Sequence, residues 1–243
     1  MTNEFKKIAV STMVLAQLLG GGFYSFASET NRNLKGCSKD SYEQQKTLKV
    51  KSITSLSINE FSNMVESFKQ SFEESCKQET KQALEEGKAD PYGNGLLCCF
   101  ISSMVDGLKK LFEFSNGSYK VKLGAEVTAL IDDDKPVSYV ITCKNESQKK
   151  LEVSLIWTDE KCKGKGYGAI SLLNILSYCV ANGYDCSLYA VSESVEFYEK
   201  FMNHQPKACD KNAFLNSVYD SKQKLEGLSD KYKKALKNLI IES

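Results

Sequence analysis

The heptapeptide Lys163-Gly164-Lys165-Gly166-Tyr167-Gly168-Ala169 decides how this chain is read. It stands between an apolar run at 151–158 (Leu-Glu-Val-Ser-Leu-Ile-Trp-Thr) and a helical pattern carrying Ile170, Leu173, Ile175, Leu176 and Val180. A glycine-rich link at a strand-to-helix junction presents successive amide N–H groups with no Cβ in the way. The helix dipole adds about half a positive charge at that end. Lys161, Lys163 and Lys165 raise the local potential further. The ligand predicted for such a cradle is a pyrophosphate or a comparable polyanion.

Two nucleotide motifs compete for this stretch. A P-loop needs Gly-Lys-Ser/Thr after its spacer, but Ala169-Ile170 follows Gly168, so that reading fails. Gly164-x-Gly166-x-x-Ala169 matches a dinucleotide fingerprint in form. That fingerprint, however, opens its domain after a first parallel strand and has an acidic partner about 20 residues on. Here the stretch comes late, after an antiparallel meander, and the acidic residue near that distance is Asp185 at a strand start. A plain glycine turn with solvated lysines is the remaining structural reading.

Outward from the heptapeptide, the pattern predicts a mixed α/β domain. Downstream, Asn182-Gly183 stops the helix, 185–191 reads as a strand, and 192–202 as a short helix containing Phe197-Tyr198-Glu199-Lys200. Upstream, 126–131 and 137–143 read as strands around the turn 132–136, and 151–158 completes an antiparallel meander. The run Asp132-Asp133-Asp134 is expected to be a solvated hairpin turn. A strand at 47–53 precedes Ser57-Ile58-Asn59-Glu60, which reads as a capping box opening an amphipathic helix. Its inward stripe is expected to hold Ile58, Phe61, Val65, Phe68, Phe72 and Cys76. A second helix runs from about Leu96, with Phe100, Ile101, Met104, Leu108 and Leu111 inward. The tail, roughly 220–241, reads as one further amphipathic helix.

The segment 151–201 resembles the acyl-CoA-binding core of the GNAT family of N-acetyltransferases. Lys163-Gly164-Lys165-Gly166-Tyr167-Gly168 is similar to that family's Gln/Arg-x-x-Gly-x-Gly/Ala signature after its fourth strand. Phe197-Tyr198-Glu199-Lys200 matches the motif of its fourth helix. The resemblance implies an α/β GNAT-like acyl-CoA N-acyltransferase fold at 47–218: a central, mainly antiparallel sheet flanked by helices, with an extra C-terminal helix at 219–243. It implies pyrophosphate binding by backbone amides of Lys163, Gly164, Lys165, Gly166, Tyr167 and Gly168. It implies pantetheine binding along Ile156, Trp157 and Thr158. Tyr198 is implied as the acid that protonates the departing thiolate, and Glu152 as the general base, with Glu126 second. The chain departs from the family at Lys163, at 191–192 where an Asn is usual, and at Phe201-Met202-Asn203-His204.

Composition narrows the rest. In 243 residues there are 32 cationic side chains, of which only Arg32 is Arg, and the formal net charge is +1. No polybasic block points to nucleic acid, and any anion site must use lysines, amides and helix ends. A single His, and nine Cys without a C-x-x-C pair, point away from a metal site. Lys6 and Lys7, the uncharged stretch 8–26 and Ser25-Phe26-Ala27 read as a secretory signal peptide at 1–27, followed by a polar leader at 28–46. An uncleaved membrane anchor is the alternative. These readings combine into an exported N-acetyltransferase using acetyl-CoA on an amine of unidentified acceptor, fit for a secreted effector of a host-associated bacterium. The alternative is a non-catalytic GNAT-fold binding module.

Overall fold

A computed structural model describes residues 47–90, 93–190, 194–204 and 212–242. The expected signal segment 1–27 and leader 28–46 lie outside the described residues. Among the described residues no helix is long and apolar enough to cross a membrane.

The chain builds a seven-stranded sheet covered on both faces. Strands β1 (Lys49–Ile53), β5 (Ala125–Asp132), β6 (Lys135–Asn145), β7 (Lys150–Thr158), β8 (Asp185–Tyr189), β9 (Ala213–Asn216) and β10 (Ile240–Glu242) form it in the order β10-β1-β5-β6-β7-β8-β9. Only β1 with β10 and β7 with β8 run parallel. The expected mixed α/β architecture with a mainly antiparallel sheet is therefore what the chain adopts. The central strands are buried on both faces, which suits their near-continuous apolar sequence.

Helices α1 (Ile58–Glu85) and α2 (Gly93–Lys110) cover one face. The capping box forms as expected. Ser57 N–H donates to Glu60 Oε2 at 2.8 Å, and Glu60 N–H donates back to Ser57 Oγ at 3.3 Å. Phe61, Met64, Phe68, Phe72 and Cys76 then fall on one stripe and pack with Leu108, Ile141, Leu155 and Trp157. Ile58, expected on that stripe, is instead 51% exposed as the first residue of the helix. Phe100 lies among side chains outside the description. Helix α3 (Tyr167–Asn182) covers the other face, packing Leu172, Leu173 and Leu176 on Val140, Ile156 and Leu188. Gly183, at φ 72°, ends it in the left-handed conformation. The short helix α4 (Val195–Glu199) joins the same core through Phe197 and Tyr198.

The structure adds elements that the sequence pattern does not predict. Strands β3 (Phe112–Ser115) and β4 (Ser118–Val121) pair around Asn116 and Gly117. These two residues have φ angles of 52° and 77°. Positive values at both centres make a two-residue hairpin turn. With β2 (Ser55–Ser57) the two strands form a separate three-stranded sheet. The tail is two helices, α5 (Val218–Glu226) and α6 (Asp230–Lys237), rather than one. It breaks at Gly227 because Ser229 starts a new helix, and it ends in β10. The acidic turn is also tighter than expected. Asp133 and Asp134, both at positive φ, form it, while Asp132 is buried at 7% exposure.

Candidate acyl-CoA cradle and the parted strands

The site begins where β7 loses its second neighbour. Strand β7 pairs with β6 along 150–158, but β8 pairs with it only at 150–153. Over 155–158 the β8-facing edge therefore has no strand partner among the described residues. Both strands point the same way, so the gap opens toward the C-terminal end of β7. The chain leaves β7 there and turns into α3. The parted edge (Ile156, Trp157, Thr158) and the glycine loop are thus brought together by the crossover itself.

The loop opens on a tight turn whose last amide, Lys163 N–H, expected in the cradle, instead donates to Glu160 O at 3.4 Å. Asp159 caps a 3-10 turn (Glu160–Cys162) by accepting Lys161 N–H at 3.0 Å. Gly164 and Gly166 follow at φ 77° and 84°. A Cβ at either would meet no atom within 4 Å, so the space beside them is open. Gly166 is the N-cap of α3 and offers no capping side chain. The first helical bond across it is Ile170 N–H to Gly166 O at 3.1 Å. The opening amides of α3 thus have neither an intrahelical partner nor a capping side chain, at the positive end of the helix dipole. That arrangement fits a pyrophosphate.

The three loop lysines are not equivalent. Lys161 and Lys165 are exposed. Lys163 is held at 12% side-chain exposure, ion-paired with Glu160 and donating to Ser71 O on α1 at 3.3 Å. Ser67, one turn earlier on α1, donates to Asp159 Oδ2 at 3.1 Å. Tyr167 OH donates to buried Asp132 Oδ2, tying the start of α3 to the end of β5.

The remaining residues expected at the site are spread over both faces. Tyr198 is fully buried in the core cluster that also holds Ile156, Ala169 and Leu173, with its ring 5.0 Å from Phe197 and 6.0 Å from Phe214. Trp157 has its main chain on the parted edge, but its indole lies in the other core. There it stacks on Tyr139 at 4.8 Å and meets Phe68 edge-on at 5.2 Å. Its Nε1–H has no hydrogen-bond partner among the described residues. Burial pushes the Tyr139 phenol beneath it up to about 12.

Glu152 pairs across to Cys143 and Ser187 at the closed end of β7. At the rise of an extended chain it stands roughly 13 Å of strand from Ile156. Burial raises its pKa, and Lys150 partly offsets that. Glu126 is ion-paired with Lys144, and the sheet places it at the same closed end, beside Thr142. His204 is exposed and meets Phe214 edge-on. Glu152 and Glu126 are therefore not brought to the cradle, whereas 156–158 and 163–168 are.

Sequence reasoning misses the polar contacts that fix this end of the sheet. Ser171 on α3 donates to Ser138 on β6 at 3.1 Å, and Ser138 donates to Trp157 O at 3.0 Å. Ser67 and Asp159 are missed for the same reason, because each residue's partner is far away in sequence. An Asp at a strand's end before a turn is the one local signal.

Among solved structures, the chain is similar to the PaiA N-acetyltransferase of Thermoplasma acidophilum in complex with coenzyme A. The TM-score is 0.45 at 14% identity, over 69% of this chain and 98% of that one. It is also similar to Tetrahymena GCN5, with a TM-score of 0.40 at 10% identity over 65% and 88% of the two chains. A third similarity is to the AtaT-AtaR complex bound to DNA, with a TM-score of 0.36 at 13% identity over 41% and 72%. No curated protein matches the chain. The family match falls on the meander, the glycine cradle and the Phe197-Tyr198 helix together, for it is residues 106–203 that match the Acetyltransferase (GNAT) family.

Proposed function

We propose that this protein is an N-acetyltransferase that moves an acetyl group from acetyl-CoA to an amine. The observation that carries the reading is the uncapped glycine cradle at the start of α3, set against the open edge of β7. The family match across both supports it. Backbone amides from Gly164 to Gly168 would hold the pyrophosphate, the Lys163 N–H being donated to Glu160 O, and the 156–158 edge would take the pantetheine as an added strand does. Acetyl-CoA supplies the acetyl group as a thioester, whose C–S bond breaks as the acceptor's N–C bond forms.

Tyr198 is assigned to hold the proton that the departing sulfur takes, a role suited to a phenol whose ordinary pKa is about 10. Its complete burial keeps that proton away from bulk water. The acceptor amine must be neutral to attack. Glu152, roughly 13 Å of strand from Ile156, is assigned the general-base role through a chain of waters. The same burial of Tyr198 in an aromatic core favours a second reading, a GNAT-fold module that binds without catalysis. The proposal extends to export through 1–27 and to action as a secreted effector, supported by the charge and hydropathy pattern of that segment.

Calorimetric titration of the chain lacking 1–27 with acetyl-CoA tests the core of this reading. Saturable binding is expected, and no heat at millimolar ligand would overturn it. Binding without turnover over a panel of amines would leave the non-catalytic module.

A further inference from the structure

Two contacts join α1 to the cradle across 92 residues of sequence each: Ser67 Oγ to Asp159 Oδ2 at 3.1 Å, and Lys163 Nζ to Ser71 O at 3.3 Å. Ser67 and Ser71 are one turn apart, on the same face of α1. Asp159 and Lys163 bracket the 3-10 turn, at the first residue of the loop and the first of the cradle. Two such points fix both position and orientation, which a single contact does not. Ser71 is buried, and its carbonyl also accepts Ser75 Oγ at 3.0 Å. Lys163 spends its charge on the Glu160 carboxylate and that carbonyl, with little of its side chain left in solvent.

We propose that Lys163 is a positioning residue, fastening the glycine cradle to α1 together with Ser67 and Asp159, rather than a ligand of the anion. This rests on the acetyl-CoA reading above and adds a coupling to it. The cradle's geometry depends on a helix on the opposite face of the sheet, so whatever shifts α1 alters affinity for the cofactor. Exposed Lys161 and Lys165 are then the lysines of the loop that contribute charge to the anion.

Amide hydrogen exchange over 159–166, measured without ligand, reads the fastening directly. Faster exchange is expected in both Lys163→Met and Ser67→Ala, with the slow core amides of α3 unchanged. Titration with CoA at low and high salt reads its consequence. Each variant should bind about tenfold more weakly, the scale of one lost hydrogen bond to a charged group. Both should keep the salt dependence of the parent, and Lys163→Arg should recover most of the affinity. A direct phosphate ligand behaves otherwise: Lys163→Met would bind with reduced salt dependence while Ser67→Ala stayed silent. That result, or unchanged exchange in Ser67→Ala, overturns the proposal. Should Lys163→Met fail to fold, Ser67→Ala carries the test alone. Should the parent not bind CoA, the acetyltransferase reading falls, while the exchange data still judge the fastening.

Discussion

Ser171 and Ser138 meet hydroxyl to hydroxyl at 3.1 Å, both buried, and Ser138 passes the bond on to the carbonyl of Trp157 at 3.0 Å. Through them α3 is anchored to the end of β7 that lies beside the cradle. Removing the middle member takes the acceptor from the buried Ser171 hydroxyl and a side-chain bond from Trp157 O, whereas removing Ser171 leaves the bond from Ser138 to Trp157 intact. Ser138→Ala is therefore expected to cost about 1–3 kcal/mol and Ser171→Ala less, measured by urea unfolding.

If Tyr198 holds the proton for the departing sulfur, Tyr198→Phe keeps the ring, its volume and its contacts with Phe197 and Phe214. Turnover should drop by roughly two orders of magnitude or more, the scale of general-acid catalysis, while CoA affinity changes little. Equal loss of turnover and affinity would make the phenol a structural group.

Glu152 sets a pH dependence whose sign can be worked out. Burial raises its pKa in the folded state above the ordinary glutamate value, so between those two values the folded protein binds the extra proton. Stability contributed by this group is then present at low pH and falls as pH rises through the folded value. Glu152→Gln should be more stable than the parent at neutral pH, with the advantage vanishing in acid. Paired denaturation curves in mild acid and at neutrality check it, and an advantage that persisted in acid would point to a cause other than ionisation.

The cysteines divide by access rather than by spacing. Cys98 and Cys99 are exposed on α2, whereas Cys76, Cys179 and Cys186 are buried. Contact with Cys179 and burial hold the Cys186 thiol well above its ordinary value, which suppresses the reactive thiolate. Alkylation of the native protein should label Cys98 and Cys99 quickly and spare the buried three until denaturant is added. Peptide mass spectrometry separates the two sets.

What the sequence makes legible follows the range of the forces involved. Gly166 and Gly183 bound α3 in the sequence because left-handed conformations at its two ends are local requirements. The β5–β7 meander shows as short apolar runs bounded by turn residues. Strands of three or four residues, such as β2, β3, β4 and β10, carry too few positions for a period to appear, even with Asn116-Gly117 signalling the turn. Trp157 shows a subtler failure. Strict alternation from Leu151 would put Val153, Leu155 and Trp157 on one face, but Ser154 is bulged out where the β6 register shifts. Leu151 and Val153 therefore pack under α3, while Leu155 and Trp157 pack under α1. In the site, the glycine cradle is legible as sequence, but the direction taken by Lys163 is not. Its partner Ser71 lies 92 residues away in sequence and becomes a neighbour only in the folded chain.

Gly166 separates the needs of the fold from those of the ligand. At φ 84° an L-residue is strained, yet a Cβ there meets no atom within 4 Å. Gly166→Ala should therefore cost only the backbone strain, about 1–2 kcal/mol of stability. The new methyl would stand in the open space beside the amides at the start of α3, where the pyrophosphate must approach. CoA affinity is expected to fall by well over the loss assigned to the fastening variants, at a stability cost that leaves the protein folded at room temperature. A parallel measurement of Gly183→Ala, with φ 72° at the other end of the same helix and equal free space, supplies the control. It should lose comparable stability and keep its affinity. If both variants lose affinity alike, the cradle owes its function to helix stability and not to the bare backbone at Gly166.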